Sequence, residues 1–218
     1  MAKEDDLPPL TPRQMTGGGE EARLPYLRRD DLDDAGRAVW DALVGTRGRT
    51  VVNEEGGLVG PFNAWVHAPG AGARLTALGA TLRFETSIDR RLLELAIIVV
   101  AAHWKAEFEW WAHARMAREH GVADEVIAAV GRGETPSFEA DDERRVYRVA
   151  RQLVADGRID DATFASAVEL LDHRGVVELV SLCGYYTLVS FTLNAFAVPL
   201  PPGVAPAWPA SADPPTRK

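Results

Sequence analysis

The chain has 218 residues, 46% of them hydrophobic and 26% charged, an ordinary globular balance with enough length to bury one sizeable core. A formal net charge of -8 argues against nucleic acid as a partner, because displacing phosphate counterions needs a basic patch, and the arginine pairs at 28–29, 90–91 and 144–145 are interleaved with acids. The start MAKEDDLPPL lacks an apolar core behind a basic stretch, and no uninterrupted apolar run approaches the roughly 18 residues of a membrane span, so a soluble cytoplasmic protein with no membrane partner is expected.

Residues 1–22, with prolines, acids and the run Gly17-Gly18-Gly19, read as a flexible N-terminal tail. Residues 23–198 read as a single helical domain, and the Pro- and Ala-rich residues 199–218 as a C-terminal tail or wrapping arm. Helical period marks Asp31–Leu43, then 70–85 through Ala71, Leu75, Leu78 and Leu82. A long apolar segment follows Ser87, a candidate N-cap, and Val122–Val130 follows the helix stop at Gly121. Segments 139–155, 160–171 and 175–196 complete an all-α set, since no alternating strand-type run stands out. The run Asp89-Arg-Arg-Leu-Leu-Glu94 is faintly echoed by Asp172-His-Arg-Gly-Val-Val-Glu178, which suggests two similar helices packed face to face, each carrying one acid into an apolar stripe. The single cysteine, Cys183, sits in an apolar run and reads as a small buried hydrophobe.

Chemistry concentrates in Glu94, Glu109 and His113, set into the apolar stretch Leu92–Ala117. Apolar helices carry ionisable groups when these are paired or put to use. Glu109 and His113 are four apart and share a helix face, with Ala102, Ala106 and Ala117 leaving room beside them. One straight helix would hold Glu94 and His113 about 28 Å apart, so a shared site requires a break near His103–Lys105. Structural readings stand beside this one: Glu109 with His113 as an ordinary helical ion pair, and Glu94 as a partner for Arg90, Arg91 or an arginine of another subunit. His67, His103, His120 and His173 read as helix-end or packing histidines.

No bound metal is expected: the pairs His103/Glu107 and Glu109/His113 point to different helix faces, and no HExxH or Cys/His cluster is present. A serine nucleophile is equally unsupported without a G-x-S-x-G elbow.

The run Arg91-Leu-Leu-Glu94-Leu-Ala-Ile-Ile-Val-Val-Ala-Ala-His103-Trp-Lys-Ala-Glu-Phe-Glu109-Trp-Trp-Ala-His113, with Ala117 and Gly121-Val-x-x-Glu125-x-Ile127, resembles the carboxymuconolactone decarboxylase family, which includes the AhpD-like proteins. Gly60-Pro61-Phe62-Asn63, His67-Ala-Pro69 and Asn194-x-Phe196 look like family features, so the resemblance covers about residues 23–200. It implies an AhpD-like all-helical subunit with a central helical hairpin, assembled as a homotrimer or hexamer. Aligned on His113, the redox branch would place its two cysteines at Ala106 and Glu109, and this chain has neither. The context Phe108-Glu109-Trp110 with His113 is similar to the decarboxylase-like branch, which implies cofactor-free proton chemistry on a small carboxylated or carbonyl-containing molecule.

On that resemblance Glu94, Glu109 and His113 are the expected catalytic residues. Phe62, His67, Trp104, Phe108, Trp110 and Asn194 are the expected substrate-binding residues. A lyase needing no cofactor is the leading expectation. A non-catalytic oligomeric or ligand-binding helical protein is the alternative, and a thiol peroxidase the third, disfavoured by the missing cysteine pair.

Overall fold

The computed structural model describes residues 22–208, which fold into eight α-helices and two short 3-10 turns, with no strand among the described residues. Helix α1, Asp34–Arg47, starts later than its apolar period suggests. Residues Arg29–Asp31 form a 3-10 turn, and the Asp33 carboxylate caps the helix by accepting from Gly36 N at 2.8 Å. The short α2, Phe62–His67, runs into α3, Pro69–Phe84, whose first position holds proline, where a missing N–H is harmless.

Helix α4, Arg90–Trp104, is the core element: every residue from Leu92 to Ala101 is buried. Its N-cap is Asp89, which accepts from Arg91 N at 2.9 Å, and not Ser87. Ser87 instead donates its N–H and hydroxyl to the Glu178 carboxylate, both at 2.8 Å. Thus the acid that echoes Glu94 ties α8 to the entrance of α4. At the far end Lys105 adopts φ 48, and Ala106 N–H reaches back to Ala101 O at 2.9 Å, a Schellman-type stop. The chain reverses there into α5, Glu107–Glu119, forming the central hairpin.

Helices α6, Asp124–Gly131, and α7, Asp141–Asp156, pack on α4, and α8, Asp161–Ala195, packs along α4 and α7. The expected segments 160–171 and 175–196 are the two arms of α8, broken at Asp172, whose φ of 57 is non-helical and whose carboxylate recaps the second arm at Gly175 N, 3.0 Å away. By length and composition α8 is long and apolar enough to cross a membrane, which corrects the expectation that no apolar stretch approaches that length. Half of that apolar window is buried inside the protein.

Candidate active site

The hairpin brings Glu94 and His113 together. His113 Nδ1 lies 2.6 Å from Glu94 Oε2, and His113 Nε2 lies 2.9 Å from Glu109 Oε1, so a carboxylate engages each ring nitrogen. All three residues are buried, Glu94 completely. Arg90, one turn before Glu94, places Nη2 2.7 Å from Glu94 Oε1. None of its N–H bonds is aimed well enough to hydrogen-bond that oxygen, so the contact is an ion pair. The Arg90 guanidinium is steered elsewhere, donating to the Arg83 carbonyl at 2.6 Å.

These contacts decide the charge state. Burial opposes charging of both groups, but the Glu109 and Glu94 carboxylates outweigh it at His113 and hold the imidazole above its ordinary value. Glu94 is likewise penalised by burial, yet His113, Arg90 and Arg83 keep its carboxyl below the usual range. The favoured state is an imidazolium donating to two carboxylates, with Tyr186 packed edge-on against its ring at 5.1 Å.

One end of this line opens on a pocket of about 980 Å³. His113 and Glu109 line it, and Glu94 does not. Phe62, Trp65, Phe108, Trp111, Tyr185 and Tyr186 supply aromatic walls, and Thr46, Thr50, Asn53, Glu54, Glu55 and Arg115 also line the cavity, a mixed lining that can take a small molecule. Gly60 makes one wall possible, because its φ is 62 and an added Cβ would meet the Phe108 ring at 2.8 Å. Arg47 and Arg83 also line the cavity.

The last wall comes from residues 199–202, Pro-Leu-Pro-Pro. This part of the Pro-rich C-terminal segment lies across the pocket as a strap. Buried Glu107 anchors its end, accepting from Ala207 N and Trp208 N, both at 2.8 Å. The Trp208 indole donates to Gly131 O at 2.8 Å and packs on Trp110, ring centroids 5.2 Å apart. The 1–22 tail lies outside the described residues apart from Ala22.

Of the six expected substrate-binding residues, Phe62 and Phe108 line the pocket and four lie elsewhere. His67 is exposed and its Nε2 is 3.0 Å from Pro25 O, tying down the N-terminal arm. Trp104 donates to Thr187 Oγ1 at 3.3 Å and packs on Phe191. Trp110 anchors the strap, and Asn194 caps α4 by donating to Trp104 O at 2.8 Å. Arg47, Trp65, Tyr185 and Tyr186 line the pocket without having been singled out from the sequence as binding residues. For the tyrosines a signal existed, two adjacent hydroxyls inside the apolar run 175–196. Arg47 carried none, since a basic residue in a helix's last turn is ordinary.

Glu94 and Glu109 sit on opposite sides of one imidazole, a line and not a cage. Among the described residues no three His, Cys, Asp or Glu converge as a metal site would. Cys183 is buried, which pushes its thiol up to about 12, and the sequence holds no second cysteine to resolve an oxidised sulfur.

Residues 69–152 match the model of the carboxymuconolactone decarboxylase family. The fold is similar to the alkylhydroperoxidase AhpD core of an uncharacterized peroxidase-related protein from Ralstonia eutropha JMP134, with TM-score 0.65 and 13% identity over 83% of this chain and 92% of that one. It is similar also to an uncharacterized peroxidase-related protein from Silicibacter sp. TM1040, with TM-score 0.63 and 16% identity over 84% of this chain and 94% of that one. No curated protein matches the chain by sequence. The family match runs from α3 into α7 and contains Glu94, Glu109 and His113, and the two solved structures share the helical fold.

Proposed function

We propose that the protein is an enzyme performing acid/base chemistry, without a cofactor, on a small organic molecule: decarboxylation, isomerisation or lactone chemistry. The observation carrying this reading is the buried line Glu94–His113–Glu109, with its Glu109 end at an aromatic pocket. Glu109 acts on the substrate, His113 supplies or takes up the proton through Nε2, and Glu94 is a positioning residue that holds the imidazole and balances its charge. In a decarboxylation, the carbon–carboxyl bond breaks, carbon dioxide leaves, and its electron pair stays on carbon as an enolate. The His113 imidazolium passes its Nε2 proton to Glu109, which delivers it to that carbon, and a proton from solvent restores the imidazolium. In an isomerisation, the Glu109 carboxylate first removes a carbon-bound proton and then returns it at another carbon.

Thiol peroxidation has no support from these residues, because Ala106 and Glu109 stand where the redox branch carries cysteines.

The test is proton exchange in deuterium oxide, followed by NMR on unsaturated lactones and 3-oxo acids, with carbon dioxide release measured in parallel. The wild-type protein should exchange or decarboxylate at least one class. His113→Asn should abolish that activity, and Glu94→Gln should reduce it by about 100-fold, the lower range for losing positioned acid/base catalysis. Turnover persisting at the wild-type rate in folded His113→Asn overturns the mechanism.

A further inference from the structure

Two phenol hydroxyls reach the cavity without a hydrogen-bond partner among the described residues. Tyr185 and Tyr186, on the second arm of α8, are 6% and 3% exposed, and both line the pocket with Glu109 and His113. Tyr147, also buried, behaves differently, its hydroxyl reaching Glu134 O at 3.5 Å. A buried tyrosine normally gives its O–H a partner, and phenylalanine would fill the same space without the cost of an unpaired donor. Room is even kept for one of the two hydroxyls. Gly79 on α3 faces it, and a Cβ there would lie 2.2 Å from the Tyr185 oxygen. The two rings meet edge to face with centroids 5.4 Å apart, and Tyr186 stands edge-on to His113 at 5.1 Å, so the pair adjoins the proton-carrying groups.

Burial holds both phenols above their ordinary value, so they stay protonated and can donate a hydrogen bond but not take up a proton. Charges of both signs act on them. Arg47, Glu109 and Arg83 face Tyr185, and Arg83, Glu109 and Glu94 face Tyr186. Such a mixture does not call for a permanent anion between the hydroxyls. It suits a neutral carbonyl oxygen that gains negative charge only as the reaction proceeds, where fixed donors stabilise the transition state more than the ground state. We propose that Tyr186, with Tyr185 beside it, donates to the carbonyl oxygen of the substrate and holds the enolate oxygen that forms during proton transfer.

This role rests on the acid/base reading and adds to it the groups that hold the developing charge. When the Glu109 carboxylate removes a proton from the carbon next to the carbonyl, the electron pair of the broken C–H bond forms the carbon–carbon double bond of the enolate, and the carbonyl π pair moves onto oxygen. In a decarboxylation the pair comes instead from the broken carbon–carboxyl bond. The phenols keep their protons throughout, and the carbonyl re-forms when Glu109 delivers a proton to carbon. Proton carriage and charge stabilisation are thus divided between α5 and α8.

Binding is tested with 4-nitrophenolate, whose charged oxygen mimics an enolate, and with nitrobenzene, which lacks that oxygen, each titrated against the full chain by calorimetry at mildly alkaline pH. The phenolate should bind about tenfold more tightly, the scale of one charge-assisted hydrogen bond. Tyr186→Phe should remove most of that preference and Tyr185→Phe part of it, with nitrobenzene unaffected. Both variants should match or exceed the wild-type denaturant midpoint, because neither hydroxyl has a partner in the protein to lose. On whichever unsaturated lactone or 3-oxo acid the wild type turns over, Tyr186→Phe should lower kcat by about 100-fold with little change in KM, the loss for one removed oxyanion donor. An undiminished phenolate preference in the double Tyr→Phe variant, or a wild-type kcat in Tyr186→Phe, overturns the assignment. A lowered midpoint overturns it too, since it marks a hydroxyl that holds the fold. His113→Asn should lose turnover yet still prefer the phenolate, so failed proton chemistry and a failed donor pair are read separately.

Discussion

His113 Nδ1 and Glu94 Oε2 meet at 2.6 Å across 19 positions of sequence, and the turn at Lys105 makes that meeting possible. A left-handed lysine is unfavourable, because its Cβ crowds the following carbonyl oxygen, whereas glycine adopts the same angles freely. Lys105→Gly should therefore stabilise the protein by about 1 kcal/mol, read as a raised denaturant midpoint at unchanged slope. A lower midpoint would show that the Lys105 side chain contributes more than the turn costs.

Breaking the buried line from the Glu94 side is the severe change. Glu94→Ala leaves Arg90 and His113 without their acid in the core and should destabilise by about 3–5 kcal/mol, measured by chemical unfolding.

The same contacts make stability depend on pH in two directions. His113 is raised above 6.5 in the native state, so its contribution is complete below that value and is lost as pH rises through the native pKa. Glu94 is lowered below 4.5, so its contribution is complete above that value and is lost as pH falls through the native pKa. The stability difference between wild type and His113→Asn should be greatest between these two reference values and shrink toward alkaline pH. A difference that grows above neutrality would contradict the imidazolium state.

The strap is held at its end by the Glu107 carboxylate and by Trp208, and residues 199–208 include none that is fully buried. Glu107→Ala or Trp208→Ala should speed amide exchange across 199–208 by about tenfold or more while leaving α4 protected, since segments with few buried contacts open independently. Unchanged exchange in both variants would show that the Pro-rich chain holds its own course.

Gly79 faces the Tyr185 hydroxyl so closely that an added methyl collides with it. Gly79→Ala should cost about 1–3 kcal/mol by overpacking, and Tyr185→Phe should recover part of the loss in the double variant. Additive losses would place the clash elsewhere.

The second arm of α8 presents an exposed apolar stripe through Val177, Val180, Leu188 and Phe191, with Gly184 open to space at its centre. Spacings of three and four put these residues on one face, suited to a second copy of the chain. Native mass should exceed that of a 23.7 kDa monomer, and Phe191→Glu should lower it. A wild-type monomer at micromolar concentration would contradict self-association through this stripe.

Apolar period and helix stops made most helices legible in the sequence, because these signals act over a few residues, whereas the reversal near Lys105 followed only from requiring Glu94 and His113 to share a site. The four-residue step from Glu109 to His113 was legible for the same reason. Helix α2 was missed because so short a segment shows no full period. Which aromatics face the pocket was undecidable: Trp104, Phe108, Trp110 and Trp111 crowd one stretch, and only the packing of α8, α6 and the strap against α5 sorts them.

The sequence by itself determined a helical chain with an acid, a second acid and a histidine on two neighbouring helices, since local spacing and caps carry that information. Tertiary structure alone decided that Glu94 reaches His113, that Arg47 and Arg83 share a cavity, and that residues 199–202 wall it. Each of these depends on groups far apart in sequence meeting through core packing, and no local pattern encodes which of them will touch.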